Sequence, residues 1–373
     1  MLKVMTIVGT RPEVIRLSRV IDRLDRHCRH VLVHTGQNYD YELNEVFFRE
    51  LAIRKPDAFL EAAGGTAAQT IGNVIIAADR VLEEHQPDAL LILGDTNSSL
   101  AAIAAKRRHI PIFHMEAGNR CFDFRVPEEI NRRIIDHVAD INLAYSDIAR
   151  EHLLREGLPP DQVIKTGSPM REVIEHHRQQ IESSDVLARM GLTEGRYFLV
   201  SSHREENVDP PERLRMLFDV LNALAERFDV PVLMSTHPRT RKRMETLGLE
   251  ADPRVRFHKP FGFPDYVALQ ARARAVLSDS GTITEESSIL NFPALNLREV
   301  HERPEGFEEG SVMLVGLDVE RVMRGLAVLA DQPRGEQRLL RMVDDYAPAN
   351  VSDKVLRIVL SYTEFVRSKV WRL

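Results

Sequence analysis

Cysteine and tryptophan are nearly missing from this chain: among 373 residues there are two cysteines, Cys28 and Cys121, and one tryptophan. So few thiols exclude a disulfide framework, and neither lies in a Cys-x-x-Cys metal or redox pattern, so no metal site is expected. Cys121 sits inside an acidic block, yet no spacing around it marks a nucleophile. Long apolar runs are missing too, since none approaches the ~20 residues of a bilayer-crossing helix, and no membrane partner is expected. The opening residues, MLKVMTIVG, read as a strand and lack the charged, apolar and cleavable segments of a signal, which makes a cytoplasmic location the expectation. Positive charge is not in excess: a net charge of −6 argues against an electrostatic nucleic-acid binder, and any anionic ligand must be held by local cations. Neither Gly-x-Gly-x-x-Gly nor a Walker sequence occurs. What is present, 43% hydrophobic and 28% charged residues, describes a globular protein with length for two domains.

Short apolar runs alternate with amphipathic helical stretches along almost the whole chain, the pattern of α/β parallel sheets built from βαβ units. In the first half the runs are KVMTIV, HVLVH, DALLIL, IPIFHM, INLAY and VIKTG; in the second, YFLVSS, VPVLMS, VRFH, AVLSD, ALNL and SVMLV. The charged, helical stretch from Ser168 to Arg196 has no strand and reads as a hinge. The expectation is therefore two Rossmann-like, doubly wound domains facing a cleft, over residues 1–169 and 170–354. Val351, Val355, Ile358, Val359 and Tyr362 give the last segment an amphipathic helical period, with residues about 355–373 expected to pack back on the first domain.

Three carboxylates stand out. Asp95 follows DALLIL in Gly94-Asp95-Thr96, Glu116 follows IPIFHM in Glu116-Ala117-Gly118, and Glu128 opens the helix EEINRRIIDHVAD. In open parallel sheets the ligand crevice lies beyond the carboxyl ends of the strands, where acids converge. Capping competes at each position: Asp95 could cap a helix near Ser98, and Glu128 could complement its own helix dipole. As a group, with Gly94 and Gly118 permitting close backbone approach, the three favour catalysis.

Gly9-Thr10-Arg11-Pro12-Glu13 joins the first strand to a helix and suits a phosphate, although Pro at the first turn and Glu13 on the dipole explain all but Arg11 and Arg16. Ser201-Ser202-His203-Arg204 sits at the matching place in the second half, where His203 could protonate a leaving oxygen. His237 follows another strand and competes with helix capping by Thr236. In Ser278-Asp279-Ser280-Gly281, small residues leave the amides at a helix start for diphosphate oxygens, and Glu286 could accept from ribose hydroxyls. Arg298 and Arg303 either neutralise ligand charge or line a solvated loop.

In this order and at these intervals, GTRPE, GDTNSS, HMEAGNR, RVPEEINR, SSHREEN, STHP, SDSGTITEE and ERPEG closely resemble the non-hydrolysing UDP-N-acetylglucosamine 2-epimerase family. The resemblance implies a GT-B-like fold, a homodimer, a UDP-N-acetylhexosamine substrate, a role in bacterial surface polysaccharide synthesis, and no cofactor. It places catalytic acids at Asp95, Glu116 and Glu128 and the catalytic histidine at His203. UDP contacts fall on Arg11, His237, Ser280, Gly281, Glu286 and Arg298, and substrate contacts on Arg16, Arg120 and Arg303. Arg16 keeps the charge of a position that is commonly Lys. Gln37-Asn38-Tyr39 replaces the Gln-His of members activated by their own substrate, which counts against such activation here. The wording NRCFDFRVP, SSHREENVD and STHPRTRKR resembles the branch that makes UDP-N-acetyl-L-fucosamine by 2-epimerising a UDP-6-deoxy-talosamine sugar. A UDP-N-acetylglucosamine/mannosamine 2-epimerase and a GT-B glycosyltransferase are the alternatives.

Overall fold

The computed structural model describes residues 1–36, 47–236 and 238–372. His237 and the Gln37-Asn38-Tyr39 segment lie outside the described residues. The chain divides into two compact units, Met1–His176 with Asp345–Leu373, and His177–Asp344.

The first unit is built on seven parallel strands: β1 (Lys3–Val8), β2 (Arg29–His34), β3 (Ala58–Phe59), β4 (Ala89–Leu93), β5 (Ile112–Ala117), β6 (Ile141–Ala144) and β7 (Val163–Lys165). Their order, β3-β2-β1-β4-β5-β6-β7, makes the sheet doubly wound, with its switch point between β1 and β4. Helices cover both faces of such a sheet, which is why ALLIL in β4 is apolar without alternation and wholly buried. One core gathers Met5, Ile7, Val33, Leu90, Ile92 and Ile112. The helix Val351–Phe365 belongs to this unit; it buries Val351, Val355 and Val359 and packs along the helix Arg11–His27, with Arg23 paired to Asp353. β3 had no signal in the sequence, because two residues make no apolar run and the strand exists only by pairing with the edge of β2.

The second unit has six parallel strands, β8 (Phe198–Ser201), β9 (Val232–Ser235), β10 (Val255–His258), β11 (Ala275–Ser278), β12 (Ala294–Asn296) and β13 (Met313–Leu314). The order β10-β9-β8-β11-β12-β13 repeats the first sheet's logic, with its switch point between β8 and β11. Its core joins Phe198, Val200, Leu217, Leu221, Leu277 and Leu295.

Candidate active site

At the first switch point the chain leaves β1 through Gly9-Thr10 into the helix Arg11–His27. A Cβ at Gly9 would lie 1.9 Å from Ser98 Oγ and 2.3 Å from Thr35 Oγ1, so a side chain there would force apart two hydroxyls that bond each other at 2.7 Å. Glu13 turns back from the first helical turn: Gly9 N donates to its Oε2 at 2.5 Å and Thr10 N at 3.1 Å, while the Thr96 hydroxyl donates to Oε1 at 2.5 Å. Glu13 therefore ties the turn after β1 to the turn after β4. Burial pushes its carboxyl up to about 7; hydrogen bonds from Thr96, Gly9 and Thr10 oppose the rise, and the charge of Asp95 adds to it.

Asp95 follows β4 and is gripped by Arg132, whose Nε and Nη2 donate to Oδ2 at 3.0 and 2.6 Å. Asn131 Nδ2 holds the Asp95 carbonyl at 3.0 Å. Capping falls to Thr96, whose hydroxyl accepts from Ser98 N, and so Asp95 is not the cap of this turn. Glu116 occupies a β-bulge, where the β5–β6 register shifts between Met115 and Ala117, and its φ is 64°. Bulges re-aim side chains, and a non-glycine residue in left-handed backbone needs support from its surroundings. That support is a buried ion pair with Arg16, together with a 3.4 Å contact from Asn119 Nδ2. Glu116 Oε2 also stands 3.9 Å from where a Gly94 Cβ would be, so Asp95 and Glu116 leave adjacent strands side by side. Gly118, at φ 87°, admits no side chain, because its Cβ would meet Ala149 O at 2.2 Å.

Beneath this turn lies a buried polar network. Asp136 accepts from Gly118 N at 3.2 Å and from Arg120 Nη1 at 2.7 Å, and His114 Nδ1 is 2.9 Å from its other oxygen. Arg120 also donates to Glu156 at 2.8 and 2.6 Å, which with Arg133 and His137 holds the Glu156 carboxyl down at about 2. Glu128 lies in the first turn of the helix Pro127–Val138 and is half-buried, whereas its neighbour Glu129 is buried against Cys121 N, Arg132 and Arg133. Arg11 lies with its guanidinium carbon 5.1 Å from the Phe47 ring centre.

At the second switch point Asp279, just past β11, is the anchor. Its buried carboxylate accepts from Ser202 Oγ at 2.7 Å, His203 N at 3.0 Å, Arg204 N at 3.0 Å and Asn207 Nδ2 at 3.2 Å. Burial works to raise its pKa, but His203, Ser202 and Arg204 outweigh it and the carboxyl is held below the usual range. His203 is half exposed, with Nδ1 3.2 Å from Asp279 Oδ1. Ser280 Oγ lies 2.9 Å from Thr282 Oγ1 and accepts from Thr282 N at the start of the helix Thr282–Leu290. A Cβ on Gly281 would fall 2.2 Å from Arg303 Nη1 and 2.6 Å from Glu302 Oε1. Arg303 is buried between Glu285 and Glu302, and Arg298 is buried against Glu302 and Glu206. Glu286 accepts from Gln270 Nε2 at 2.6 Å.

Within the first unit the structure thus brings Asp95, Glu116 and Arg16 together; within the second, His203, Ser280, Gly281, Arg298 and Arg303 line neighbouring strand ends, with Glu286 one turn into the helix. Arg120 is enclosed by Asn119 O, Asp136 and Glu156. Sequence reading gave no role to Arg132, Asp279 and Glu302, and read Glu13 as a dipole partner alone. Of these only Asp279 carried a usable signal, its place directly after a strand and before Ser280-Gly281.

Two doubly wound parallel sheets, each with polar loops at its switch point, define the class: an α/β enzyme of GT-B-like architecture. The particular family follows from comparison. The family model for UDP-N-acetylglucosamine 2-epimerase matches residues 22–360, and the chain belongs to that family, whose members are isomerases. A solved UDP-N-acetylglucosamine 2-epimerase from Rickettsia bellii superposes with a TM-score of 0.94 at 51% identity, covering 100% of both chains. The Methanocaldococcus jannaschii UDP-GlcNAc 2-epimerase, solved with UDP-GlcNAc and UDP, gives a TM-score of 0.90 at 31% identity, covering 96% of this chain and 99% of that one. A UDP-2,3-diacetamido-2,3-dideoxy-D-glucuronate 2-epimerase of Pseudomonas aeruginosa is 35% identical over 84% of this chain and 88% of its own length. No helix among the described residues is long and apolar enough to cross a membrane.

Proposed function

We propose that this chain is a UDP-N-acetylhexosamine 2-epimerase that inverts C2 by anti elimination of UDP to a glycal and re-addition, forming UDP-N-acetyl-L-fucosamine from the talo epimer for a bacterial surface polysaccharide. The observation that carries the reaction is the pair of carboxylates, Asp95 and Glu116, at the ends of adjacent strands, each held by an arginine. Hydrogen on C2 of a 2-acetamido sugar is not next to a carbonyl, so a base alone cannot remove it. Departure of UDP from C1 supplies the driving force: as the C2–H bond breaks, its electrons form the C1–C2 double bond and the C1–O bond leaves with the diphosphate. Re-addition restores that C1–O bond, and a proton arrives at C2 on the opposite face.

Inversion thus needs proton-transfer groups on both faces, a task assigned to Asp95, Glu116 and Glu128. Each positioned acid or base is worth about 10²–10⁴ in rate. His203 protonates or stabilises the departing oxygen, and Arg11, Arg298, Arg303 and the Ser280-Gly281 amides neutralise the diphosphate. Glu286 takes the ribose hydroxyls, and Arg16 pairs with Glu116 and holds it in place. Arg120 acts from below, by holding the turn that carries Glu116. Elimination and re-addition balance without oxidant or reductant, so the scheme calls for no cofactor. The working form in this reading is a cytoplasmic homodimer.

The L-fuco product is supported by the wording NRCFDFRVP and SSHREENVD. UDP-N-acetylglucosamine is the second reading, favoured by the names of the Rickettsia bellii and Methanocaldococcus jannaschii proteins. Incubating the enzyme with each UDP-sugar in D₂O, without acceptor, tests both the reaction and the sugar. The expected product carries deuterium at C2 and arises from the 6-deoxy-talo substrate. Epimerised product without deuterium defeats the elimination route, and turnover of UDP-N-acetylglucosamine alone defeats the L-fuco assignment.

A further inference from the structure

We infer that Asp279 is a positioning residue that aims His203, so that the two work as a histidine–carboxylate pair; the inference rests on the leaving-group role proposed for His203. Neither position attracts the other in sequence, being separated by 76 residues. The switch point joins them: β8 and β11 pair with Ser201 opposite Ser278, so the residues just past each strand end meet. There the Asp279 carboxylate, fully buried, faces Nδ1 of a half-exposed imidazole at 3.2 Å.

The remaining contacts make Asp279 a fixed reference. Ser202 Oγ and the amides of His203 and Arg204 all donate to it, which holds the backbone of the histidine itself, while the ring stands at ion-pair distance. Asn207 Nδ2 adds a bond at 3.2 Å and carries the same loop to the Leu297 carbonyl beyond β12 at 3.0 Å. A carboxylate 3.2 Å from Nδ1 favours hydrogen on that nitrogen, which selects the tautomer that leaves Nε2 for proton exchange with the substrate. It also stabilises the imidazolium that forms when Nε2 takes a proton from solvent or product. The imidazole is thus held ready in one orientation, and a proton passed from Nε2 to the departing oxygen leaves Nδ1–H in place.

The competing account is that Asp279 only shapes the loop. Kinetics of the full chain distinguish the two, using Asp279→Asn, His203→Asn and the double variant, with epimerisation as one readout and calorimetric binding of UDP alone as the other. The expected result is a kcat lower by about 10²–10⁴ in Asp279→Asn with UDP affinity within threefold, and a double variant within about twofold of His203→Asn. Full multiplication of the two single losses, or an Asp279→Asn enzyme with wild-type kcat, overturns the inference. His203→Asn with wild-type turnover removes instead the role given to His203 above. Should Asp279→Asn fail to fold, Ser202→Ala loosens the same carboxylate: a several-fold loss of kcat seen only when His203 is present supports the pair, and an equal loss in both backgrounds defeats it.

Discussion

The two switch points are built alike and loaded differently. Both lie where a doubly wound sheet reverses its strand order, and both present a turn after the first strand beside a turn after the fourth. In the first unit two of the acids are held by a guanidinium sent from a helix: Arg132 grips Asp95, and Arg16 grips Glu116. Glu116 moreover sits in left-handed backbone at a bulge, a conformation that costs of order 1–3 kcal/mol and must be maintained by its neighbours. Among the described residues of the second unit the only non-glycine residues with positive φ, Asp229 and Asn291, are at helix ends away from the switch point. Asp279 is instead held by amides and a hydroxyl, and a shell of arginines surrounds Glu302. The contrast fits a division of labour. Of the acids assigned above to proton transfer, Glu116 is held under backbone strain, whereas the loop assigned to the anion keeps relaxed amides and small side chains.

Exchanging Glu116 for Gln sharpens this contrast most. Turnover should fall by about 10²–10⁴ while UDP affinity, read by calorimetry, changes little; a variant with native turnover removes Glu116 from the chemistry. Removing its support comes next. Arg16→Met removes the cation from a buried carboxylate and should cost about 3–5 kcal/mol of stability by urea denaturation. A cost near zero would mean that the left-handed bulge holds Glu116 unaided.

Glu13 should give the first unit a pH signature of its own. Its carboxyl is raised to about 7 in the fold and returns to 4.5 on unfolding, so the folded state holds the extra proton between those values. Stability contributed by this group is complete below pH 4.5 and is lost as pH rises through 7, by on the order of 3 kcal/mol. Glu13→Gln should abolish that slope in denaturation midpoints compared at pH 5 and pH 8. An unchanged slope would assign the pH dependence elsewhere. The smallest expected effect is in the second unit. Gly281→Ala crowds Arg303 and Glu302 and should cost about 1–3 kcal/mol, seen as weaker UDP binding with kcat at saturation nearly unchanged. A fall in kcat instead would break the division between proton transfer and anion holding.

Particular residues show what could be read beforehand. Asp95 and Glu116 were legible because a buried parallel strand is a continuous apolar run whose end lies at the sheet's carboxyl edge, although Glu116 sits within the end of β5 itself, at its bulge. Glu13 was not, since a carboxylate in the first turn of a helix reads as a dipole partner, and only burial against Thr96 reveals its second task. Arg120 and Arg132 look equivalent in sequence, yet the first is enclosed by Asp136 and Glu156 and the second grips Asp95.

The order of apolar runs, the glycines at strand ends and the eight motifs determined by themselves the two sheets, the family and the identity of most polar groups at the switch points. Only the tertiary structure decided which charge answers which. Pairing depends on distances across strands and helices far apart in the chain, as between Arg16 and Glu116 or His203 and Asp279, and local pattern carries no information about such distances.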